Sequence, residues 1–575
     1  MVRNSFYLRT NFQIYKQKVA EKVATAAKIS SPHLMNAIIA NMKIGYRTSE
    51  QCISFRLPSN ILYNDMNKCK TSIINDINAN ETLNTIQLNT KMIEINLNNN
   101  DFINKVFKSD MVEQIPHTYS LNRLPQIIEF SSPNIAKPFH VGHFRSTIIG
   151  NFLSNLFKFL NGNIIKLNYL GDYGPQFGYI LLGLENLQKE NPNCKLTIET
   201  LHKAYVLANK LSEEDNDIHR KAKAIFNDLE FGNSTSEVAE LWNNFRSTTV
   251  KELGITYKRL GVVFDQYDWE SNYSKIKISN IIEKLEKMNI LKYKNDGSGV
   301  IYCNNQETTV LKNDKCTLYL LRDIAAAVDR FKRFKSKNLY YVVDNTQSKH
   351  FYQLKSIINK INPQISINHV PFGRIHGMSS RKGKGVLMNQ LLDEAKSIMI
   401  LRRENSQTTK KQDQDENKIS DILGISAIII NDLKQRRKKD YNFSWESALQ
   451  VNGDTGIKLQ YTHCRLESLI EVNSNLALPF QVNAEYLKDP IAIELIIEIC
   501  RYENILNETK NSLEACILVN YLFRLCNCIN KALKILNVKN SSVVYAEQRL
   551  LLFYRAKSVL SSGMEILGLM PLKSM

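Results

Sequence analysis

Four residues, His140-Val141-Gly142-His143, carry the strongest chemical signal in this sequence. Two imidazoles three residues apart on the first turn of a helix point the same way, toward whatever occupies its N-terminus. Gly142 removes a side chain between them, so a flat ring such as adenine can approach the backbone. Imidazole donors beside a helix dipole would stabilise charge developing on a phosphoryl group, each such donor being worth roughly 3 kcal/mol of barrier. A metal-binding pair and two histidines without a joint role are the other readings these residues allow. A metal would need further ligands, and the adjacent sequence offers none.

The elements that must position this quartet can be read around it. Gln126 to Phe130 is a compact apolar strand, followed by a loop, Ser131 to Phe139, stiffened by Pro133 and Pro138. Phe144, Ile148, Phe152, Leu156 and Leu160 then recur at helical spacing, and Asn161-Gly162 ends the helix. Ile164 to Leu170 is the next strand, closed by the tight loop Gly171-Asp172-Tyr173-Gly174. This is a βαβ unit. Ligands of open parallel sheets bind at the C-terminal ends of the strands, where both loops fall.

The 575 residues divide into regions of different texture. Residues 21–118 mix helical stretches with short alternating strands; Ile93, Ile95 and Leu97 share one face. Residues 119–440 alternate strands and amphipathic helices, the pattern of an α/β domain on a parallel sheet. Residues 441–575 are helical by periodicity. The expected fold is therefore multidomain α/β, with a Rossmann-type parallel-sheet domain between an α+β N-terminal domain and an all-α C-terminal bundle. No apolar run is long enough to span a membrane. Ten scattered cysteines show no zinc or disulfide spacing, so they read as reduced thiols. Net charge is +19, from 75 basic and 56 acidic residues, which favours a polyanionic partner such as nucleic acid. Residues 1–20 hold Arg3, Arg9, Lys16 and Lys18 with no acid, among hydroxyl and aromatic residues, the profile of a mitochondrial targeting segment.

His140 to His143, after a strand and a proline-containing loop, resembles the HIGH motif of class I aminoacyl-tRNA synthetases. The whole of Glu129 to Gly150, with Asn168 to Gly178, Tyr257 to Val262, Leu321 to Ala327, Tyr461 to Arg465 and Leu567 to Pro571, is similar to the arginyl-tRNA synthetases, the mitochondrial form above all. The likeness is strong over 120–575 and weak before it; the usual Trp of the second loop is here Tyr173. The resemblance implies an ATP-dependent arginine–tRNA ligase that forms arginyl-adenylate and passes it to tRNA(Arg). It implies catalytic His140, His143 and Lys137, and ATP contacts at His140, Gly142, His143, Met378, Ser379 and Arg381. For arginine it implies Glu129, Ser132, Asn134, Tyr319, Asp323 and Gln347. The chemistry agrees, because selecting a planar, always charged guanidinium needs carboxylates placed for several hydrogen bonds. Without the family, Asp323 reads as the partner of a surface ion pair with Arg322.

The second class I signature, KMSKS, departs from its pattern. Gly377 and Ser380 stand where its lysines would be, with Arg381, Lys382 and Lys384 nearby. Lys137 is the expected substitute. For tRNA, the resemblance implies Phe102 and Asn104 (beside Asn99) in an elbow-binding N-terminal domain, and Tyr461, His463 and Arg465 in an anticodon-binding bundle; by itself Asn104 reads as part of a strand. Two basic stretches, Arg402-Arg403 with Lys410-Lys411 and Lys434 to Lys439, are candidates for tracking phosphates. The implied protein is a mitochondrial monomer using ATP with Mg²⁺, with the cytoplasm as the other compartment. A catalytically inactive, synthetase-like RNA-binding protein is the rival.

Overall fold

Every residue of the strand that opens the βαβ unit, Gln126 to Glu129, is buried, as a central strand covered on both faces requires. The computed structural model describes residues 10–26, 31–61, 83–88, 91–108, 124–135, 137–160, 162–231, 234–273, 275–303, 306–311, 319–378, 387–405, 416–450 and 453–575.

The N-terminal domain holds helices α1 (Phe12–Ala26), α2 (Pro32–Asn41) and α3 (Asn99–Val106), and strands β1 (Lys43–Arg47), β2 (Cys52–Pro58), β3 (Leu83–Leu88) and β4 (Met92–Leu97). The strands form an antiparallel sheet in the order β1-β2-β4-β3. The apolar face of β4 is the one expected, and Glu94 and Asn96 on its other face are buried too. Helix α1 bears on the boundary expected after residue 20. It runs through that position, and Phe12, Tyr15 and Val19 lie in the core, with Phe12 and Tyr15 edge-on to Phe102 at 6.4 and 5.2 Å. Residues 1–9, with Arg3 and Arg9, lie outside the described residues.

The central domain is built on five parallel strands, β5 (Gln126–Glu129), β6 (Ile164–Leu170), β7 (Gln266–Trp269), β11 (Asn338–Asp344) and β12 (Ser366–Phe372), in the order β12-β11-β5-β6-β7. The chain leaves β5 to one side and returns as β11 on the other, so the strand order reverses between β5 and β11. Crevices at such reversals are where ligands bind. Helix α4 (Val141–Phe159) crosses from β5 to β6. Between β6 and β7 come α5 (Gln176–Glu190), α6 (Ile198–Glu214), α7 (Asn216–Phe231) and α8 (Ser236–Arg259). Helix α9 (Lys275–Lys287) and the antiparallel strands β8 (Leu291–Tyr293), β9 (Gly299–Cys303) and β10 (Gln306–Leu311) precede α10 (Tyr319–Phe334); α11 (Ser348–Ile361) joins β11 to β12. Then follow β13 (Ile375–His376), α12 (Met388–Glu404) and α13 (Glu416–Leu433).

Strand β14 (Tyr441–Asn442) pairs in parallel with β13, so the chain just beyond residue 440 still belongs to the central unit. The helices α14 (Trp445–Leu449), α15 (Gly456–Val472), α16 (Pro490–Ser512), α17 (Ala515–Ile535) and α18 (Val543–Ile566) complete the C-terminal bundle. The N-terminal domain docks on it: Gln13 donates to Asn504, Asn100 to Glu485, and Arg501 to the Ile44 carbonyl. Inside the central unit the buried Arg145 of α4 pairs with the buried Asp432 of α13 at 3.0 Å and donates to the Gly373 and Lys439 carbonyls.

Candidate active site

His140 caps helix α4, its Nδ1 accepting the Gly142 N–H at 3.0 Å, and its ring lies 4.0 Å from that of His143. A Cβ at position 142 would come within 2.7 Å of the His140 ring, so the glycine keeps the imidazole folded over the first turn. Burial, with like charge from His140 and Lys137, pushes the His143 imidazole down to about 3; burial and Lys137 also lower that of His140. Both rings are thus neutral near pH 7. The buried Nδ1 of His143 has no hydrogen-bond partner among the described residues. The Lys137 ammonium stands 5.8 Å from the centre of the Tyr205 ring.

The loop after β5 turns sharply. Ser131 and Ser132 adopt φ of +72° and +48°, a region L-residues enter only when their surroundings hold them there. Here the Ser131 N–H donates to Ser146 Oγ and the Ser132 N–H to Asn168 Oδ1, while the Ser131 hydroxyl meets Tyr257 at 2.7 Å. The Ile135 N–H donates to the Gly171 carbonyl and the Gly171 N–H to that of Pro133. Ser132 and Asn134 are thereby fastened against the Gly171 loop. That loop is anchored in turn: Asp172 accepts from Ser271 and pairs with Arg246 at 3.3 Å, and the Arg246 guanidinium lies 4.0 Å from the Trp269 ring and 5.0 Å from that of Trp242. Tyr173 lies under Arg322 at 3.6 Å.

At the crevice between β5 and β11, two of the expected arginine-binding carboxylates come together. Glu129 ends β5 and Asp323 sits one turn into α10, near enough for the charge of Asp323 to raise Glu129. Burial is the larger cause and pushes the Glu129 carboxyl up to about 7, against the pull of Arg330. Arg330, itself buried, donates to Glu129 and pairs with Asp268 at 3.3 Å. Asp323 bonds His350 Nε2 at 2.6 Å, and Arg322 turns away to Glu270 at 2.8 Å, so the Arg322–Asp323 surface pair does not form. Tyr319 is 71% exposed at the start of α10, and Gln347 is exposed in the turn after β11. Arg330, Asp268, Tyr341 and His350 were not legible as site residues, because no local motif joins them; Arg330 and Glu129 are 201 positions apart.

Other expected contacts are corrected. Met378 is buried in the core. Ser379 and Arg381, with Ser380, Lys382 and Lys384, lie outside the described residues, as do Lys410 and Lys411. Phe102 is fully buried among Phe12 and Tyr15 and has no face for RNA. Asn104 lies in helix α3, not a strand, and its Oδ1 accepts the Ala484 N–H of the bundle. Tyr461 is 47% exposed on α15, with the Arg465 guanidinium 5.7 Å from its ring; Arg465 also donates to Asn530 at 2.7 Å. His463 faces inward and donates through Nδ1 to the Leu572 carbonyl at 2.8 Å. The basic stretches are partly internal braces: Arg402 donates to the Leu449 carbonyl, Arg403 to that of Glu416, and the buried Arg437 to those of Pro371 and Leu513.

Comparison with known proteins shows the family of the chain. Residues 109–445 match the family model of the catalytic domain of class I tRNA synthetases for arginine, and residues 459–575 that of the DALR anticodon-binding domain. The chain is 37% identical over 479 residues to a Dictyostelium discoideum protein named "Probable arginine--tRNA ligase, cytoplasmic", covering 78% of this chain and 80% of that one. It is 35% identical over 465 residues to the mitochondrial arginine–tRNA ligase of Saccharomyces cerevisiae, covering 78% and 72%. The crystal structure of arginyl-tRNA synthetase from Plasmodium falciparum superimposes with a TM-score of 0.76 at 25% identity, over 97% of this chain and 99% of that one. With a catalytic-domain match, an anticodon-binding-domain match and these arginine–tRNA ligases as relatives, the chain belongs to the class I arginyl-tRNA synthetases, the arginine–tRNA ligases.

Proposed function

We propose that this ligase holds arginine between Glu129 and Asp323 at the β5–β11 crevice and activates it over His140 and His143. The convergence of those two carboxylates, Glu129 at the end of the strand that leads into the helix of the histidine pair, is the observation that carries the reading. A carboxylate oxygen of arginine attacks the α-phosphorus of ATP, the bond to the pyrophosphate oxygen breaks, and arginyl-adenylate forms. The terminal ribose hydroxyl of tRNA(Arg) then attacks the acyl carbon, and AMP leaves. Positioning and charge stabilisation supply the rate in such transfers. His140 and His143, neutral and at a helix N-terminus, donate to phosphate oxygens. Lys137 opposes the charge on departing pyrophosphate in place of the absent KMSKS lysines. ATP would enter with Mg²⁺, whose charge would offset that of the phosphates. Ser132, Asn134 and Gln347 line the α-amino side, and Tyr319 the mouth. The protein acts as a monomer, reads the tRNA elbow with its N-terminal domain, and meets the anticodon loop with Tyr461 and Arg465.

The deciding assay is ATP–pyrophosphate exchange dependent on arginine and tRNA. Exchange is expected with arginine alone among amino acids, and Asp323→Asn should raise the arginine KM at least about tenfold, a lost hydrogen bond to a charged group. RNA binding without exchange would establish the inactive paralogue instead.

A further inference from the structure

The face of the parallel sheet beneath α10 carries a row of polar side chains. Laterally paired residues of neighbouring strands share a face, and side chains along a strand alternate. Tyr341 pairs with Glu129, Glu129 with Leu167, and Tyr169, two residues on, with Asp268. Tyr341, Glu129, Tyr169 and Asp268 therefore line one face, and Arg330 of α10 comes down among them. Asp323 is seven residues before Arg330, two turns along the same helical stripe, toward the open end of the crevice.

Three tyrosines surround Arg330, and two of them are satisfied. Tyr273 donates to Asp268 at 2.7 Å, and the Tyr341 hydroxyl accepts from Arg330 at 3.5 Å. The third is Tyr169, whose ring centre is 4.8 Å from the Arg330 guanidinium and whose hydroxyl is buried with no partner among the described residues. A buried hydroxyl without a partner is destabilising, a penalty a bound ligand atom removes.

We propose that Tyr169 is a specificity-determining residue of the arginine pocket, its hydroxyl oxygen accepting an N–H of the substrate guanidinium beside Asp323. The proposal rests on the reading that Glu129 and Asp323 hold arginine. A guanidinium presents five N–H donors in a planar fork. Glu129 already accepts from Arg330 and Asp323 is bonded to His350, so neither carboxylate is free to turn wholly toward the fork, and a neutral acceptor beside them complements it. The charges bearing on Tyr169 are, besides Arg330, those of Asp323, Glu270 and Glu129, which with burial keep the phenol protonated. It can thus accept without adding another buried charge.

The test is Tyr169→Phe, which removes one oxygen and keeps the ring on Arg330. Aminoacylation should show an arginine KM raised about tenfold or more, with the ATP and tRNA KM values unchanged. The free variant should melt no lower than the parent, since an unsatisfied polar atom has gone, while the stabilisation conferred by arginine shrinks. An unchanged arginine KM overturns the proposal, as does an equal rise in all three KM values with a lower melting temperature. Asp323→Asn run in parallel separates the two readings. If it raises the arginine KM and Tyr169→Phe does not, Tyr169 alone is refuted; if neither does, the pocket itself is misplaced.

Discussion

At the scale of residues, the site is governed by burial acting on charge. Glu129 is pushed up to about 7, so it gains and loses its proton in the working range. A cationic ligand prefers the ionised carboxylate, and arginine should bind more tightly as pH rises from 6 to 8, by at most about tenfold per unit while Glu129 is still protonated. Glu129→Gln removes that proton, so its arginine affinity should be weaker and flat over the window, as measured by calorimetry. A pH slope that survives the substitution would assign the titration elsewhere. The histidine pair stands out in the sequence by its spacing, and the carboxylates proposed to bind arginine by the family pattern around them. The partners of those carboxylates do not. Glu129 and Arg330 meet through the sheet and its covering helix, and no periodicity of either segment encodes that meeting.

At the scale of elements, helix α4 does more than present His140 and His143. Its buried Arg145 reaches Asp432 on α13 and two carbonyls of the chain around β13 and β14, and burial pushes the Asp432 carboxyl up to about 6. Removing one partner of such a pair leaves the other charge uncompensated, which costs about 3–5 kcal/mol. Arg145→Leu should lose that much in denaturant unfolding, and adding Asp432→Asn should restore part of it; a loss below about 1 kcal/mol would show the pair to be dispensable. The βαβ unit was readable because its apolar spacing and turn residues agree at every step. The short helix around Phe102 and Asn104 was not, since eight residues follow directly on a strand and carry too little periodicity to separate the two. Asn98 decides it, its side chain capping the helix through the Asp101 N–H.

At the scale of the whole molecule, helix α1 links the question of compartment to that of stability. Relatives of both mitochondrial and cytoplasmic kind resemble this chain, and the basic, acid-free start motivates the proposal of import into the matrix. Yet Phe12 and Tyr15 are core residues, and Gln13 reaches the bundle. Any cleavage compatible with the fold must therefore precede Phe12. Protein beginning at residue 10 should unfold like the full chain, whereas protein beginning at residue 21 should melt several degrees lower, because two buried aromatics are lost at about 3–5 kcal/mol each. Equal melting temperatures would reduce α1 to decoration. A reporter fused to residues 1–30 should collect in mitochondria, and diffuse cytosolic signal would refute import.

The setting of Arg246 has a practical corollary. The chain holds three tryptophans, and two of them, Trp242 and Trp269, flank this one guanidinium, which is paired with Asp172 in the loop beside the active site. Light emitted by indole is sensitive to a cation on its face, so the protein carries a built-in optical gauge of that loop. If binding at the crevice shifts that loop, the intrinsic fluorescence of the protein is expected to change with it, without a dye or a label.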